Sequence, residues 1–498
     1  MPTRTLGSLT RFIGLVLLAS SYVCPCARAG VGVVLNESLD TSAQWVTGSG
    51  HTSIYFSRIC PASPVRLRLC RPGEHGSVMS NYINLGENQR YEWNIVPLDV
   101  YLYGVEKPQD RPLFGSPKLK SLLEQTYRTR ALFKYCDAQS CVTGEKAEWK
   151  EMVGATLSRS MYVFYVDTSL QQDLHLIDEF NALPNQNHFD GVTDNCADFV
   201  KRILDTYFPH SAHRDVINDF GMTSPKAVAR TFSHYALQHP DLQFCVLHLS
   251  QLPGTIKRST EPHDGTEQLF RSKKLLVPMA IFANHELPIV AAAYFLHGRF
   301  SPEGQFEAHP AMETAILPGK AVSRLVSEND QVAPSLLRIP ETDQDRVEVV
   351  GTPAEWRQYR KQFNEIVKES VREGTIPNKA YLNQFFAQLD RSGDPFIAPD
   401  GSLWLDVNYQ GSTRQLGVGA NSIFAPGSDR RLAFVFLLAR VNQILRSPKH
   451  RRETMLELRE DWTRLRYARA RSARDVASIS PQGTPDAFSS ATKSNRGN

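Results

Sequence analysis

The sequence predicts an α+β protein, with a short antiparallel sheet packed on one amphipathic helix and a mostly helical C-terminal region. The strand signal is the run 51–56, where a period of two places His51 and Tyr55 on one face. The helix signal begins at Cys196, after which apolar residues recur at the spacing of one helix face. Similar spacing at 356–373 predicts a helical C-terminal region.

Composition narrows the classes of function. The chain has 498 residues and a net charge of +4, too small for its length to indicate a nucleic-acid partner. The sequence contains no P-loop, no dinucleotide fingerprint, and no HExxH or paired CxxC zinc motif. His210 and His213 are candidate metal ligands, but no further metal ligand follows them at a recognisable distance in the sequence. We therefore expect neither a cofactor nor a metal.

The N-terminus has the pattern of a secretory signal. Arg4 and Arg11 are basic, the apolar run 12–23 is too short to span a bilayer, and 27–29 reads Ala-Arg-Ala. We expect cleavage before Gly30 and export to the periplasm or cell envelope. An uncleaved N-terminal anchor is the alternative.

The chain is expected to divide into five segments. They are a signal peptide at 1–29, a thiol domain at 30–260, an apolar segment at 261–340, a mostly helical domain at 341–475 and a disordered tail at 476–498.

Cys196 is the candidate nucleophile. Asp194 and Asn195 are good N-cap residues, so Cys196 falls in the first turn of its helix, on the buried face. Unpaired N–H groups and the helix dipole favour a thiolate at this position. A cysteine so placed acts as a nucleophile when a histidine is near. The alternative is a small buried residue of an amphipathic helix.

His51 is the candidate base, and its order relative to Cys196 carries a family resemblance. His-x-x-Ile-Tyr on a strand, followed by Asn-Cys-x-x-Phe-Val opening a helix, resembles the permuted NlpC-type thiol enzymes, including the lecithin:retinol acyltransferase-like proteins. It is also similar to bacterial Lnb-type N-terminal periplasmic domains. The resemblance covers 31–208. It implies a papain-like core and acyl transfer by Cys196 and His51, with oxyanion or support roles for Tyr55 and Asn195.

One member of the expected site has no clear candidate. The resemblance implies a polar residue on the strand after the histidine strand, which would orient the imidazole. That stretch offers Arg66 and Arg68, which orient an imidazolium poorly. His188, in a polar loop before Cys196, is a competing base. We prefer His51, because a strand holds its geometry better than a loop.

Cysteine spacing predicts local disulfides in an oxidising compartment. The pairs Cys60 with Cys70 and Cys136 with Cys141 each flank a short segment. Cys24 and Cys26 would leave with the signal, so two such bridges leave Cys196 and Cys245. A structural disulfide between these two is therefore the main alternative to a nucleophilic Cys196.

The stretch 275–297 is the most apolar part of the chain after the signal. Asn284-His285-Glu286 at its centre, with prolines on either side, disfavours a membrane span. We expect two short buried helices, or a helix pair resting on a membrane surface through 271–297, and a true membrane span is the alternative.

The expected function is exported, cysteine-dependent acyl transfer. Water as acceptor gives an amidase or peptidase acting on cell-wall peptide or another envelope substrate. The alternatives are a lipid or lipoprotein acyltransferase and a non-catalytic envelope-binding protein on the same fold.

Overall fold

The computed structural model describes most of the chain. The described residues are 29–39, 50–81, 91–132, 152–186, 194–215, 219, 222–271, 292, 294, 299–310, 352–446 and 452–478.

A six-stranded antiparallel sheet forms the centre of the fold. The first eight strands are β1 Gly30–Asn36, β2 His51–Phe56, β3 Ile59–Ser63, β4 Arg66–Leu69, β5 Ser77–Asn81, β6 Trp93–Pro97, β7 Met161–Asp167 and β8 Cys245–Leu249. The central sheet has the order β6-β5-β2-β1-β7-β8, while β3 and β4 form a separate hairpin. Strands β1 and β2 are buried at every position, because other elements cover both faces of the sheet.

Helices surround this sheet and continue into the C-terminal region. They are α1 Leu98–Tyr103, α2 Pro117–Tyr127, α3 Ala155–Ser158, α4 Leu170–Ala182, α5 Cys196–Tyr207, α6 Pro225–Gln238, α7 Gly265–Arg271, α8 Pro302–Ala308, α9 Pro353–Arg372, α10 Tyr381–Ser392, α11 Arg430–Arg446 and α12 Arg452–Ser478. A second antiparallel sheet follows α10, formed by β9 Gly393–Ile397, β10 Leu403–Tyr409 and β11 Ser412–Gly417. The predicted α+β class is confirmed.

The two faces of the central sheet belong to different apolar clusters. Ile54 and Phe56 of β2 share one cluster with α4, α5 and α6. Val34 of β1 and Tyr55 of β2 point to the other face and share a cluster with α1, α2 and the C-terminal helices. The alternation of side chains along each strand separates the two clusters.

The C-terminal region continues the core of the sheet. The Phe114 ring lies 5.2 Å from that of Phe386 and 6.1 Å from that of Phe436. Beside this contact, the Leu113 N–H donates to the Val418 carbonyl at 2.7 Å. The region expected as a domain at 341–475 therefore shares one hydrophobic cluster with the sheet.

A buried charge network joins α11 to α12. Arg440 is 2% exposed, and its Nη2 lies 2.8 Å from Asp461 Oδ2 and 3.1 Å from Glu457 Oε1. Arg464 Nη1 donates to the second oxygen of Asp461 at 3.0 Å. Burial raises the pKa of Glu457. Each charge in this network faces an opposite one, which offsets the cost of burying it.

The predicted disulfide between Cys60 and Cys70 is confirmed, and it closes the β3–β4 hairpin. Cys136 and Cys141 lie outside the described residues, as do 1–28, 311–351 and most of 272–298. Among the helices that the structure describes, none combines the length and the apolar character needed to cross a bilayer.

Candidate active site

The start of α5 is fixed by a reciprocal cap. Asn195 Oδ1 accepts the N–H groups of Ala197 at 2.7 Å and Asp198 at 3.1 Å, and the Asp198 side chain accepts the Asn195 N–H. This pattern satisfies helix-start donors and begins the helix at Cys196. Cys196 is 5% exposed and lies at the positive end of the helix dipole. The cap therefore holds the sulfur where a thiolate is favoured.

The proposed disulfide between Cys196 and Cys245 is wrong. Cys196 carries a thiol, whereas Cys245 is disulfide-bonded. The reason is topological, because β8 is an edge strand separated from β2 by β1 and β7. Cys245 also belongs to the cluster on the face opposite α5. The main structural alternative to a nucleophilic Cys196 is thus removed.

His51 is held by a hydroxyl that the sequence analysis missed. Its Nε2 lies 2.8 Å from Ser80 Oγ, and both side chains are at least nine-tenths buried. Ser80 Oγ also donates to the Asn81 carbonyl at 3.1 Å, so it accepts the Nε2 proton of His51. We infer that Nδ1 is then the basic nitrogen of the imidazole.

Sequence reasoning looked for the orienting residue on the wrong strand. Arg66 and Arg68 follow the histidine strand along the chain, but β4 belongs to the separate hairpin. In the sheet, β2 lies between β1 and β5, and Ser80 belongs to β5, where Ile54 of β2 lies opposite Met79. The available signal was the strand pattern at 77–81, but its partner strand depends on long-range pairing.

Helix α5 runs in the same direction as β2. At its C-terminal end, the Tyr207 ring lies 6.3 Å from the Phe56 ring. Toward its other end, the Phe199 ring lies 6.5 Å from Phe180, which lies 5.7 Å from Trp93. Trp93 pairs with the last residue of β5, level with the beginning of β2. The start of α5 therefore lies toward the beginning of β2.

This orientation brings the Cys196 end of α5 to the His51 end of β2. The apolar stripe of α5 covers the face that carries Ile54. His51 projects to the other face, as does Ser53, whose Oγ lies 3.2 Å from the Tyr101 hydroxyl. Proton exchange between Cys196 and His51 would thus take place around the end of β2.

Gly50 sets the start of β2. Its φ is +72°, and a Cβ placed there would lie 2.3 Å from the Asn36 carbonyl oxygen and 3.1 Å from Pro262. A larger residue would displace this backbone, because left-handed φ and close approach both favour glycine. Gly50 therefore fixes the position from which the His51 side chain departs.

Tyr55 and Asn195 have structural roles. The Tyr55 hydroxyl donates to the His75 carbonyl at 3.2 Å. Tyr55 lies four residues after His51 on β2, so their Cα atoms are about 13 Å apart. Burial raises the pKa of Tyr55. Asn195 uses its oxygen in the helix cap and its Nδ2 on the Thr223 carbonyl at 3.0 Å. Both side chains are thus engaged in structural contacts, and an oxyanion or support role for Tyr55 and Asn195 stays a prediction.

Comparison with protein-family models, with curated proteins and with solved structures finds no match. The site is therefore interpreted from its own geometry.

Metal ligation has little support among the described residues. One group of three candidate ligands occurs there, formed by Cys60, Cys70 and Glu74. The disulfide removes its two sulfurs as metal ligands. His210 lies in a turn after α5 with a φ of 64°. The competing base His188 lies outside the described residues.

Replacement of Ser80 tests its role as a positioning residue. Ser80→Ala is expected to slow alkylation of Cys196 at pH 6 by about tenfold, the equivalent of one hydrogen bond to a group that becomes charged. Ser80→Thr retains the hydroxyl and should restore most of the rate. The measurement is the second-order rate constant with iodoacetamide, compared with the melting temperature of each variant. Equal rates for Ser80→Ala and wild type would remove Ser80 from the site.

Proposed function

We propose that this chain is a cysteine-dependent acyl-transfer enzyme of the permuted papain-like kind, with Cys196 as nucleophile and His51 as base. The observation that carries the proposal is the Nε2 contact of His51 with Ser80 at 2.8 Å. It leaves the other imidazole nitrogen basic, at the sheet end where a capped helix begins with a thiol. This combination supplies the groups that an activated cysteine requires, a thiol at a helix start and a histidine base at the same end of β2.

The reaction follows from these groups. His51 Nδ1 takes the Cys196 proton, and the thiolate attacks the carbonyl carbon of an amide or ester. A carbon–sulfur bond forms, and the carbonyl electron pair moves to oxygen. When the oxyanion collapses, the bond to the amine or alcohol breaks, and His51 returns its proton to that leaving group. Water, an amine or an alcohol then attacks the thioester and regenerates the thiol.

The oxyanion would be stabilised mainly by backbone at the helix start. The N–H groups of Ala197 and Asp198 already donate to Asn195 Oδ1. The Cys196 N–H is adjacent to the reacting sulfur and lies at the positive helix end, so we assign it as the main-chain donor. We expect a second hydrogen bond to the oxyanion to come from the substrate or from a residue outside the described part of the chain.

The proposed substrate is an amide of cell-wall peptide or another envelope component. The support is the secretory pattern at 1–29 and a disulfide between Cys60 and Cys70, both typical of exported proteins. Membrane-surface contact through 271–297 would favour a lipid acyl donor. A non-catalytic binding protein on the same fold is the second candidate.

Detection of the acyl-enzyme separates these candidates. Brief incubation with an activated acetyl ester, followed by peptide mass spectrometry, is expected to place the acetyl group on the Cys196 peptide. Release of acetate indicates a hydrolase, and faster release with an added amine or lysophospholipid indicates a transferase. Cys196→Ala should lose the adduct while keeping its circular dichroism spectrum. An unmodified Cys196 peptide would leave the binding protein as the better interpretation.

A further inference from the structure

The cap of the Cys196 helix is fastened to the loop that begins α6. Thr223 offers its carbonyl oxygen to Asn195 Nδ2 at 3.0 Å and donates its hydroxyl to Asp198 Oδ1 at 2.5 Å. The next residue, Ser224, is the N-cap of α6. The position of this loop therefore acts directly on the two residues that define the start of α5.

Asp219 ties the same loop to the beginning of α7. Its Oδ2 accepts the Ser224 hydroxyl at 2.7 Å, and its Oδ1 accepts the Gly265 N–H at 2.7 Å. Ser224 Oγ also accepts the Ala227 N–H at 3.1 Å. With Asp219 1% exposed, these bonds take place in a nearly dry environment. Asp219 thus connects the loop that begins α6 to the start of α7.

The segment leading into α7 also reaches the other half of the candidate site. Thr260 and Ser38 exchange backbone hydrogen bonds at the end of β1. Two residues later, Pro262 lies against Gly50, the residue before His51. One segment, 260–265, therefore supports the residue before His51 and, through Asp219, the residues before Cys196.

We propose that Asp219 is a positioning residue for Cys196, which fastens the cap of α5 to this segment while its carboxylate is ionised. The inference rests on the proposed function of Cys196. Protonation at Oδ1 sets an O–H against the Gly265 N–H and breaks that bond. Protonation at Oδ2 reverses the other bond, so that Asp219 donates to Ser224 Oγ, which already accepts the Ala227 N–H. Either proton therefore changes one of the two bonds and weakens the charge-assisted link, and we expect the Thr223 contact with Asn195 to loosen.

The surroundings of Asp219 place the protonation of its carboxylate within an accessible pH range. Burial, with a smaller contribution from the nearby carboxylate of Asp264, raises the pKa of Asp219 to about 6. Lys226, itself buried and 2.7 Å from Glu267, lowers it, as do the Gly265 and Ser224 hydrogen bonds. On the α5 side of the loop, the charged groups are Asp198 and its partner Arg214. We expect the cap of α5 to be tight above pH 6 and looser below it.

As pH falls through about 6, the cap of α5 should loosen while the contribution of Asp219 to the free energy of unfolding rises. A buried acid whose folded pKa is raised binds its proton more tightly in the folded state than in the unfolded state. Its contribution to folding therefore falls as pH rises from about 4 to about 6. Asp219→Asn removes this cost and should not lower the melting temperature at pH 7. A purely structural role predicts a lower melting temperature.

The test compares wild type with Asp219→Asn by hydrogen exchange and alkylation. Corrected for intrinsic exchange, the Ala197 and Asp198 amides of wild type should exchange faster at pH 5 than at pH 7. Alkylation of Cys196, divided by the thiolate fraction from absorbance at 240 nm, should fall by about fivefold, the equivalent of one hydrogen bond. Asp219→Asn should show the pH 5 values at both pH values.

Asp215→Asn is the matched control, because the Asp215 carboxylate pairs with Arg230, whereas that of Asp219 bonds Ser224 and Gly265. This control should keep the wild-type pH dependence. The inference is overturned if Asp219→Asn keeps the wild-type change in amide exchange and alkylation between pH 5 and pH 7, or if Asp215→Asn loses that change. Failure of the proposed function is read separately, from an unchanged alkylation rate in His51→Ala, since amide exchange needs no reactive thiol.

Discussion

His51→Ala is expected to slow alkylation of Cys196 at pH 6 by about 100-fold, the lower range for loss of a general base. An ordinary thiol has a pKa of about 8.5 and is almost wholly protonated at this pH. Fast reaction with iodoacetamide therefore requires a neighbouring base or a stabilised thiolate. The measurement is the rate of label incorporation into the Cys196 peptide at several pH values.

His234→Ala provides the control for this experiment, because His234 is exposed on α6. Its rate should equal that of wild type. Cys196→Ala should eliminate the label from its peptide. If His51→Ala reacts as fast as wild type and melts at the same temperature, His51 is not the base and the acyl-transfer proposal loses its second residue.

Arg440→Ala is expected to lower the free energy of unfolding by about 3–5 kcal/mol. The substitution leaves Asp461, which is 0% exposed, with Arg464 as its remaining ion-pair partner among the described residues. A buried carboxylate that loses one of its partners keeps its desolvation cost and loses the attraction that offset it. The measurement is urea unfolding followed by circular dichroism.

Lys368→Ala is the matched control, since Lys368 forms an exposed pair with Glu365. Its effect should stay within about 0.5 kcal/mol. A loss below about 1 kcal/mol in Arg440→Ala would mean that the α11–α12 contact depends on apolar packing and not on its charges.

Local patterns predicted the elements well. The amphipathic stretch that contains α4 begins at Leu170, because Ser169 and Gln172 form a capping box. The start of α5 follows from Asn195 in the same way. Caps and periodicity act over a few residues, so a single sequence contains them. The closely spaced Cys60–Cys70 disulfide was also predictable.

Contacts between distant segments were not predictable. Ser80 is a strand residue whose neighbour is decided by pairing between β5 and β2. Tyr55 matches the expected tyrosine by spacing, but its hydroxyl reaches His75 through a turn that no local pattern specifies. Nothing near Asp219 in sequence indicates its bond to Gly265. These residues acquire their roles from tertiary packing.

The hydrophobic cluster shared by the sheet and the C-terminal helices has a consequence for biosynthesis. Val34 lies near one end of the described chain and Leu465 near the other, and both belong to this cluster. Contacts across such separations form late, because long loops must close first. The side of the sheet that carries His51 thus acquires its full covering after the last helices dock. If Cys196 and His51 form the proposed reactive centre, we expect that centre to mature only with the complete polypeptide, so partly made chains would be inactive.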